Sequence, residues 1–386
     1  MSIIQAAGSG EVSTGFYKHL LDQSLKFDDG GAHYLTRTNS GAASSTTVTV
    51  LSCWVKRCTL GSIQMIFTAA TTAPNVCGGV YFTASDQIAV YLDKTAAGSD
   101  ELTTITTSVF RDVSAWYHVV IVYNTADSTT ANKSKIYVNG VQQPVTTSTT
   151  GSAVTTQRLL ADDVVLTIGK YFNDSYYFDG YLAEYHVVDG VSSIDHDDFG
   201  ETKDGIWVAK SYSGGHGNNG YYLPFDDSSA IGDDESANTN DFTVNNLSAH
   251  DVVPDSPTNN FCTFNPLIYR LASDTTTLSE GNLKSTGSSG YAFGTINIPT
   301  SGKWYFETYT VAGTSVGVVG VGDANLLAQS SVADVLYYLS NGTKQVNANN
   351  SSYGATWTTD DIIGVACDAD NGTITFYKNN SSQGSL

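Results

Sequence analysis

The chain has 386 residues, with 36 glycines, 23 tyrosines and seven prolines, and its 38 acidic against 18 basic side chains leave a formal charge of −20. So large a negative field opposes phosphate, which argues against nucleic-acid binding and against anionic membrane surfaces. No run approaches the roughly 20 apolar residues of a membrane helix, and "MSIIQAAGSGEVSTGFYKHLL" lacks the basic-then-apolar order of an export leader.

Residues 1–23 show no sustained period, although "FYKHLL" can make one helical turn, and they read as an arm. From 24 to 195 comes a series of short β-forming runs, among them "SLKFDD", "TTVTVLSCWVKR", "AWYHVVIVYN", "SKIYVNGVQQ" and "GYLAEYHVV", which predicts an all-β sandwich. "AWYHVVIVYN" is apolar at both parities, with Trp116, Val120 and Val122 on one face and Val119, Ile121 and Tyr123 on the other; such a strand is central and covered on both sides. Asn139-Gly140 tolerates positive φ at both positions, as a two-residue hairpin requires.

Residues 196–285 mix Asn, Asp, Ser and Gly with isolated aromatics and little periodicity, and read as an ordered, irregular connector. The β pattern returns over 286–386 in "GKWYFETYTV", "SVGVVGVGD" and "DIIGVACDADNGTITFYKNN", with hairpin signals at Asn341-Gly342 and Asn371-Gly372. The expected fold is therefore all-β: two jelly-roll sandwiches joined by the connector. The five cysteines, Cys53, Cys58, Cys77, Cys262 and Cys367, have no C-x-x-C spacing and read as thiols, mostly buried.

Four stretches invite chemistry. "YYFDGYLAEYHVVDG" groups Asp179, Glu184, His186 and Asp189, but the chain has no E-x-D-x-x-E spacing, and a two-carboxylate glycosidase is not expected. "DDESANTND" lacks EF-hand spacing and reads as a solvated loop; Asp368 and Asp370 in "CDADNG" read as turn chemistry. "KYFNDSYYFDG" places Tyr171, Asn173, Asp174, Tyr176 and Tyr177 together, aromatic faces for a sugar's C–H face beside amide and carboxylate groups for its hydroxyls. "GGHGNNGYY" and "SSYGATW", with Trp357, are weaker versions of that pattern, and His118 and His186 read as structural histidines.

In "SLKFDDGGAHYLTRT", "CWVKR", "AWYHVVIVYN...SKIYVNG" and "FDGYLAEYHVVDG", taken in that order, the first region resembles the concanavalin A-like, laminin-G-type jelly roll common in phage structural proteins. The connector resembles the stretch that follows such domains in marine-phage virion proteins. "GKWYFETYTV", "VGVGD" and "DIIGVACDADNGTITFYKNN" resemble a SPRY (B30.2-like) sandwich whose last strands are missing. The first resemblance implies a structural Ca²⁺ held by the opening turn and the closing strand, here Asp28, Asp29 and Glu184, although the closing strand has Ala183 where the family commonly has Asp. Together the resemblances imply a non-enzymatic virion protein, a tail or capsid fibre. It would be assembled in the host cytoplasm, attached to other virion proteins by the N-terminal arm, plausibly homotrimeric, and adhesive to host-surface glycans. A purely architectural capsid decoration or tail protein that binds neighbouring virion subunits is the alternative, with a polysaccharide depolymerase as a third reading.

Overall fold

The computed structural model describes residues 2–3, 15–71, 76–93, 101–191, 193–268, 275–288, 290–312, 317–322, 335–347 and 349–386. The chain divides into a unit that ends at Phe261 and a second from Cys262 to Leu386, which also includes the strand Ser2–Ile3. Among the described residues there is no α-helix, only strands and three single 3-10 turns, so the protein is all-β.

The first unit is two antiparallel eight-stranded sheets. One runs in the order Val141–Gln142, Ser134–Val138, Tyr117–Asn124, Val48–Arg57, Gly180–Asp189, Ser24–Phe27 and Val252–Val253, with Tyr221–Leu223 also paired to Gly180–Asp189. The other runs Val145–Thr150, Glu101–Thr106, Ile88–Asp93, Val76–Phe82, Gln64–Thr71, Val164–Ile168, Tyr34–Thr38 and Thr243–Asn245. Alternate residues of both sheets, including Leu51, Val55, Phe67, Val80, Val119, Ile121, Leu166 and Leu182, close one continuous core between them.

Tyr117–Asn124 is central, and its two-sided apolar pattern has a structural cause. Val119 and Ile121 face that core, while Val120 packs outward with Val188, Ile194 and Phe199. Asn139 and Gly140 have φ of 48° and 74°, and Val138 pairs directly with Val141. Four of the cysteines are buried and Cys262 is half-buried.

The stretch read as a connector behaves differently up to residue 261. Its short strands Tyr221–Leu223, Thr243–Asn245 and Val252–Val253 add to the sheets of the sandwich, and Gly200–Lys203 with Ile206–Ala209 makes a hairpin. "FYKHLL" forms no helical turn. Lys203 Nζ instead donates to the carbonyls of Gly15 and Phe16, and Leu21 exchanges hydrogen bonds with Thr258 Oγ1, its N–H at 3.2 Å and its carbonyl at 2.7 Å.

The second unit has a sheet in the order Thr277–Ser279, Lys284–Thr286, Ser2–Ile3, Lys303–Tyr309, Ile362–Asp368, Thr373–Lys378 and Ser381–Ser385, and a four-stranded sheet from Val318–Gly322 to Asn349–Ser352. Val319, Tyr338, Trp357, Ile363, Val365 and Phe376 form its core. Trp357, read as a weak sugar-contact candidate, is 4% exposed and belongs to that core.

Candidate functional site

The four polar residues of "YYFDGYLAEYHVVDG" go to four different tasks. The strand Gly180–Asp189 is uniformly buried because sheet lies on both edges and protein on both faces. Its pairing with Val48–Arg57 shifts between Ala183 and His186, and Glu184 at that bulge has φ of 50°. The bulge inverts the alternation: Leu182 faces the inter-sheet core with Tyr185 and Val187, whereas Ala183 and Val188 face outward.

Glu184 is thereby held on the outer face. His19 Nε2 lies 2.6 Å from Oε1, the Tyr222 hydroxyl donates to Oε2 at 2.8 Å, and His186 Nε2 lies 3.5 Å from Oε1. Burial acts to raise this carboxyl, but the hydrogen bonds from His186 and His19 outweigh it and leave it at about 2. Beside it the His186 and Tyr222 rings stack at 4.1 Å, and His186 Nδ1 meets His216 Nε2 at 3.1 Å. Burial pushes His216 down to about 4 and His118, whose Nδ1 accepts from Trp207 Nε1 at 2.9 Å, down to about 3. His216 and His118 are thus neutral packing histidines.

His19 is the exception. Its hydrogen bond to Glu184 raises it above the ordinary 6.5 despite burial. The sign follows: a raised histidine contributes stability that is complete below 6.5 and lost as pH rises through its folded value, while the depressed Glu184 contributes above its ordinary 4.5 and loses that contribution toward about 2. We expect the melting temperature to fall from pH 6.5 to 8.5 by an amount that shrinks in His19→Gln. Equal slopes for both chains would sever the link.

Asp189, fully buried, closes loops rather than binding a ligand. Its carboxylate accepts from the backbone N–H of Ser44 at 2.7 Å, Asn219 at 3.1 Å and Ser45 at 3.3 Å. The "GGHGNNGYY" loop is held by this contact, and by Asn219 Nδ2 donating to the carbonyls of Gly41 and Leu160. "DDESANTND" is likewise internal: Asp234 accepts from the N–H groups of Tyr222, Ser236 and Asn240. Asp368 accepts from Asn371 and Lys303 at the hairpin.

Asp179 goes to the opening turn. Gly180 pairs with Phe27, so the antiparallel register carries Asp179 toward Asp28. Asp28, Asp29 and Asp179 each offer a carboxylate oxygen, all within 4.8 Å of one another, the one such group of three or more among the described residues. Asp28 and Asp179 are buried and Asp29 is exposed. Thr59 Oγ1 donates to Asp179 Oδ2 at 2.5 Å, while Asp179 Oδ1 is buried with no hydrogen-bond partner among the described residues. Burial raises the Asp179 carboxyl to about 7; the Thr59 hydrogen bond opposes this and the charges of Asp29 and Asp28 add to it. The expected trio of Asp28, Asp29 and Glu184 is thus not assembled: Asp28 and Asp29 are together, Asp179 completes the group, and Glu184 is bound to His19 and Tyr222. Phe-Asp occurs at 27–28, 178–179 and 225–226, so the sequence carries no signal that singles out Asp179.

The tyrosine loop springs from the same place. Phe178 N–H donates to the Gly169 carbonyl at 2.8 Å, pinching the loop's base. Gly169 has φ of 93°, and a Cβ there would lie 2.7 Å from the Phe27 ring, so a glycine is needed for the loop to sit against the residue preceding Asp28. Tyr171 and Ser175 bridge, Asp174 and Tyr176 adopt φ of 60° and 54°, and Lys170 pairs with Asp174 while its Nζ lies 3.8 Å over the Tyr34 ring. Tyr176 is 48% exposed, with Tyr171 tilted against it at 5.8 Å; Asn173 and Asp174 are exposed, and Tyr171 and Tyr177 are half-buried. The arrangement offers one exposed aromatic ring with flanking amide and carboxylate groups, on a loop that leads directly through Phe178 to Asp179 of the three-carboxylate group.

Residues 29–195 match the family model of the concanavalin A-like lectin/glucanases superfamily, and residues 303–385 match the SPRY domain. No curated protein matches the chain. Similar solved structures include a native heptameric SAP-like pentraxin from Limulus polyphemus, at 16% identity over 43% of this chain and 76% of that one with a TM-score of 0.33. The CBM40 of a Ruminococcus gnavus IT-sialidase, bound to alpha2,3 sialyllactose, is 15% identical over 41% and 85% with a TM-score of 0.29. Domains LG4-5 of the mouse laminin alpha1 chain are 8% identical over 99% and 80% with a TM-score of 0.36.

Proposed function

We propose that this chain, with its lectin-type sandwich and SPRY domain, is a non-enzymatic adhesion protein, and that its first sandwich binds glycans through the Tyr171–Tyr177 loop. The observation that carries the reading is Tyr176, 48% exposed in a left-handed turn between the exposed Asn173 and Asp174 and the carboxylates at its base. A tyrosine ring presents area at low entropic cost, and neighbouring amide and carboxylate groups orient hydroxyls. Hydrolysis is not part of the proposal, because Glu184, the acid once attractive for it, has both oxygens engaged and is 5% exposed.

The carrier we propose is a tailed-phage particle, where many copies multiply weak contacts through effective concentration. This rests on the resemblance of the first sandwich and of the connector to phage virion proteins. On a glycan array, Tyr176→Ala should weaken the strongest signals about tenfold, the equivalent of about 1.4 kcal/mol. Signals unchanged by that substitution would refute the loop assignment. Gold labelling of purified particles tests the carrier, and an unlabelled particle would reject it.

A further inference from the structure

The sheet around Lys303–Tyr309 buries one face; on the other Tyr305 is exposed and Glu307, Tyr309 and Tyr377 are half-buried. Phe306, Val365 and Phe376 pack inward, so the alternate residues Tyr305, Glu307, Tyr309 and Tyr377 lie on the opposite face. Gly364 stands between Glu307 and Tyr377 in the register. A Cβ at Gly364 would meet the Tyr305 hydroxyl oxygen at 2.2 Å and the ring carbon that bears it at 3.0 Å, so the hydroxyl end of this ring rests over the glycine. It is nevertheless 55% exposed.

The ring is also fixed. Its hydroxyl donates to Glu307 Oε1 at 2.7 Å, and the Tyr309 hydroxyl donates to Asp360 Oδ1 at 2.6 Å. Burial, the Glu307 hydrogen bond and the nearby Tyr377 push the Tyr305 hydroxyl up to about 12, which keeps it a donor. A flat, immobilised aromatic face loses little side-chain entropy on binding. Beside it, Glu307 Oε2 receives no hydrogen bond among the described residues and is an acceptor for hydroxyl hydrogens.

We propose that the Tyr305, Tyr309 and Tyr377 face is a second saccharide platform, one that stacks the uncharged pyranose units of a neutral polysaccharide. The charges select the occupant. Glu307 and Asp360 repel uronate, sialate or sulfate groups, and a second copy of this face would oppose the same carboxylates to each other. Uncharged sugar hydroxyls supply a donor to Glu307 Oε2, which receives none from the described residues. The platform lies in a different unit from the Tyr171–Tyr177 loop and stands without it.

The test is affinity electrophoresis of the full chain carrying Tyr176→Ala, so that the loop contributes nothing, through gels containing hydroxyethylcellulose, galactomannan or dextran, or the anionic alginate and hyaluronan. We expect retardation in at least one neutral gel and in neither anionic gel. Tyr305→Ala should weaken it about tenfold or more, Gly364→Ala should do so by lifting the ring, and Tyr305→Phe should retain most of it. Absence of retardation in every neutral gel, retardation that survives Tyr305→Ala or Gly364→Ala, or retention by the anionic gels overturns the proposal. So does a homo-oligomer that Tyr305→Ala dissociates in sedimentation, which would assign the face to a second copy.

Discussion

Replacing Asp255 with alanine is expected to destabilise the first unit by about 3–5 kcal/mol, because it strands a buried ammonium. Lys56 is fully buried in the Val48–Arg57 strand, and its Nζ donates to Asp255 Oδ2 at 2.7 Å, Asn260 Oδ1 at 2.8 Å and the Phe261 carbonyl at 2.7 Å. Asp255 is also fully buried, and its other oxygen accepts from Trp116 Nε1 at 3.0 Å and from Phe261 N–H at 3.3 Å. The pair therefore holds the end of the first unit against the outer face of its sheet. For a unit of this size the loss corresponds to a fall in melting temperature of roughly 6–20 °C. Asn260→Ala, which removes a neutral acceptor and the exposed hydrogen bond from Asn260 Nδ2 to the Ser114 carbonyl, should cost less, about 1–2 kcal/mol. Urea denaturation of the three chains reads both, and an Asp255→Ala midpoint within error of the parent would show that the ammonium finds water without penalty.

Calcium is expected to stabilise the same unit through Asp28, Asp29 and Asp179. Hard oxygen donors, with an Asp179 oxygen that is buried and has no hydrogen-bond partner among the described residues, fit that ion, whose double charge would add to that of the nearby Lys26 in offsetting the three carboxylates. At about 100 times its dissociation constant, an ion that binds only the folded chain adds about 2.7 kcal/mol. The pH dependence has a definite sign. With its carboxyl raised from the ordinary 3.8 to about 7, Asp179 contributes stability that is full below 3.8 and lost as pH rises through about 7. An ion that takes the ionised carboxylate offsets that loss, so the gain from Ca²⁺ over chelator should be larger at pH 8 than at pH 5. Asp179→Asn should abolish it, and Glu184→Gln should leave it. Scanning calorimetry decides: no calcium-dependent shift at pH 8, or a shift that survives Asp179→Asn, refutes the site.

The contrast between Asp179 and Glu184 shows where sequence reasoning stopped. Periodicity was enough to place "GYLAEYHVVDG" as a strand, and the paired Asn139-Gly140 and the two-sided pattern of "AWYHVVIVYN" found a hairpin and a central strand, because each depends on backbone sterics or burial within one segment. A bulge is different. Glu184 in a left-handed conformation reverses which residues face the core, and nothing in an alternating run announces the reversal. The metal reading chose Glu184 on the closing strand, whereas the register brings Asp179 to the opening turn.

By itself the sequence determined the all-β class, the two β-rich regions, the hairpins, the acidic field and the tyrosine-rich loop, since these follow from local conformational preference, alternation and summed charge. Only the tertiary structure decided that residues 196–261 belong with the first sandwich. Three of their strands, two to three residues long, pair with strands of its sheets and are too short to show a period of their own. It also decided which acids meet. Carboxylates more than a hundred residues apart converge or separate according to strand register, and register is a property of the assembled sheet.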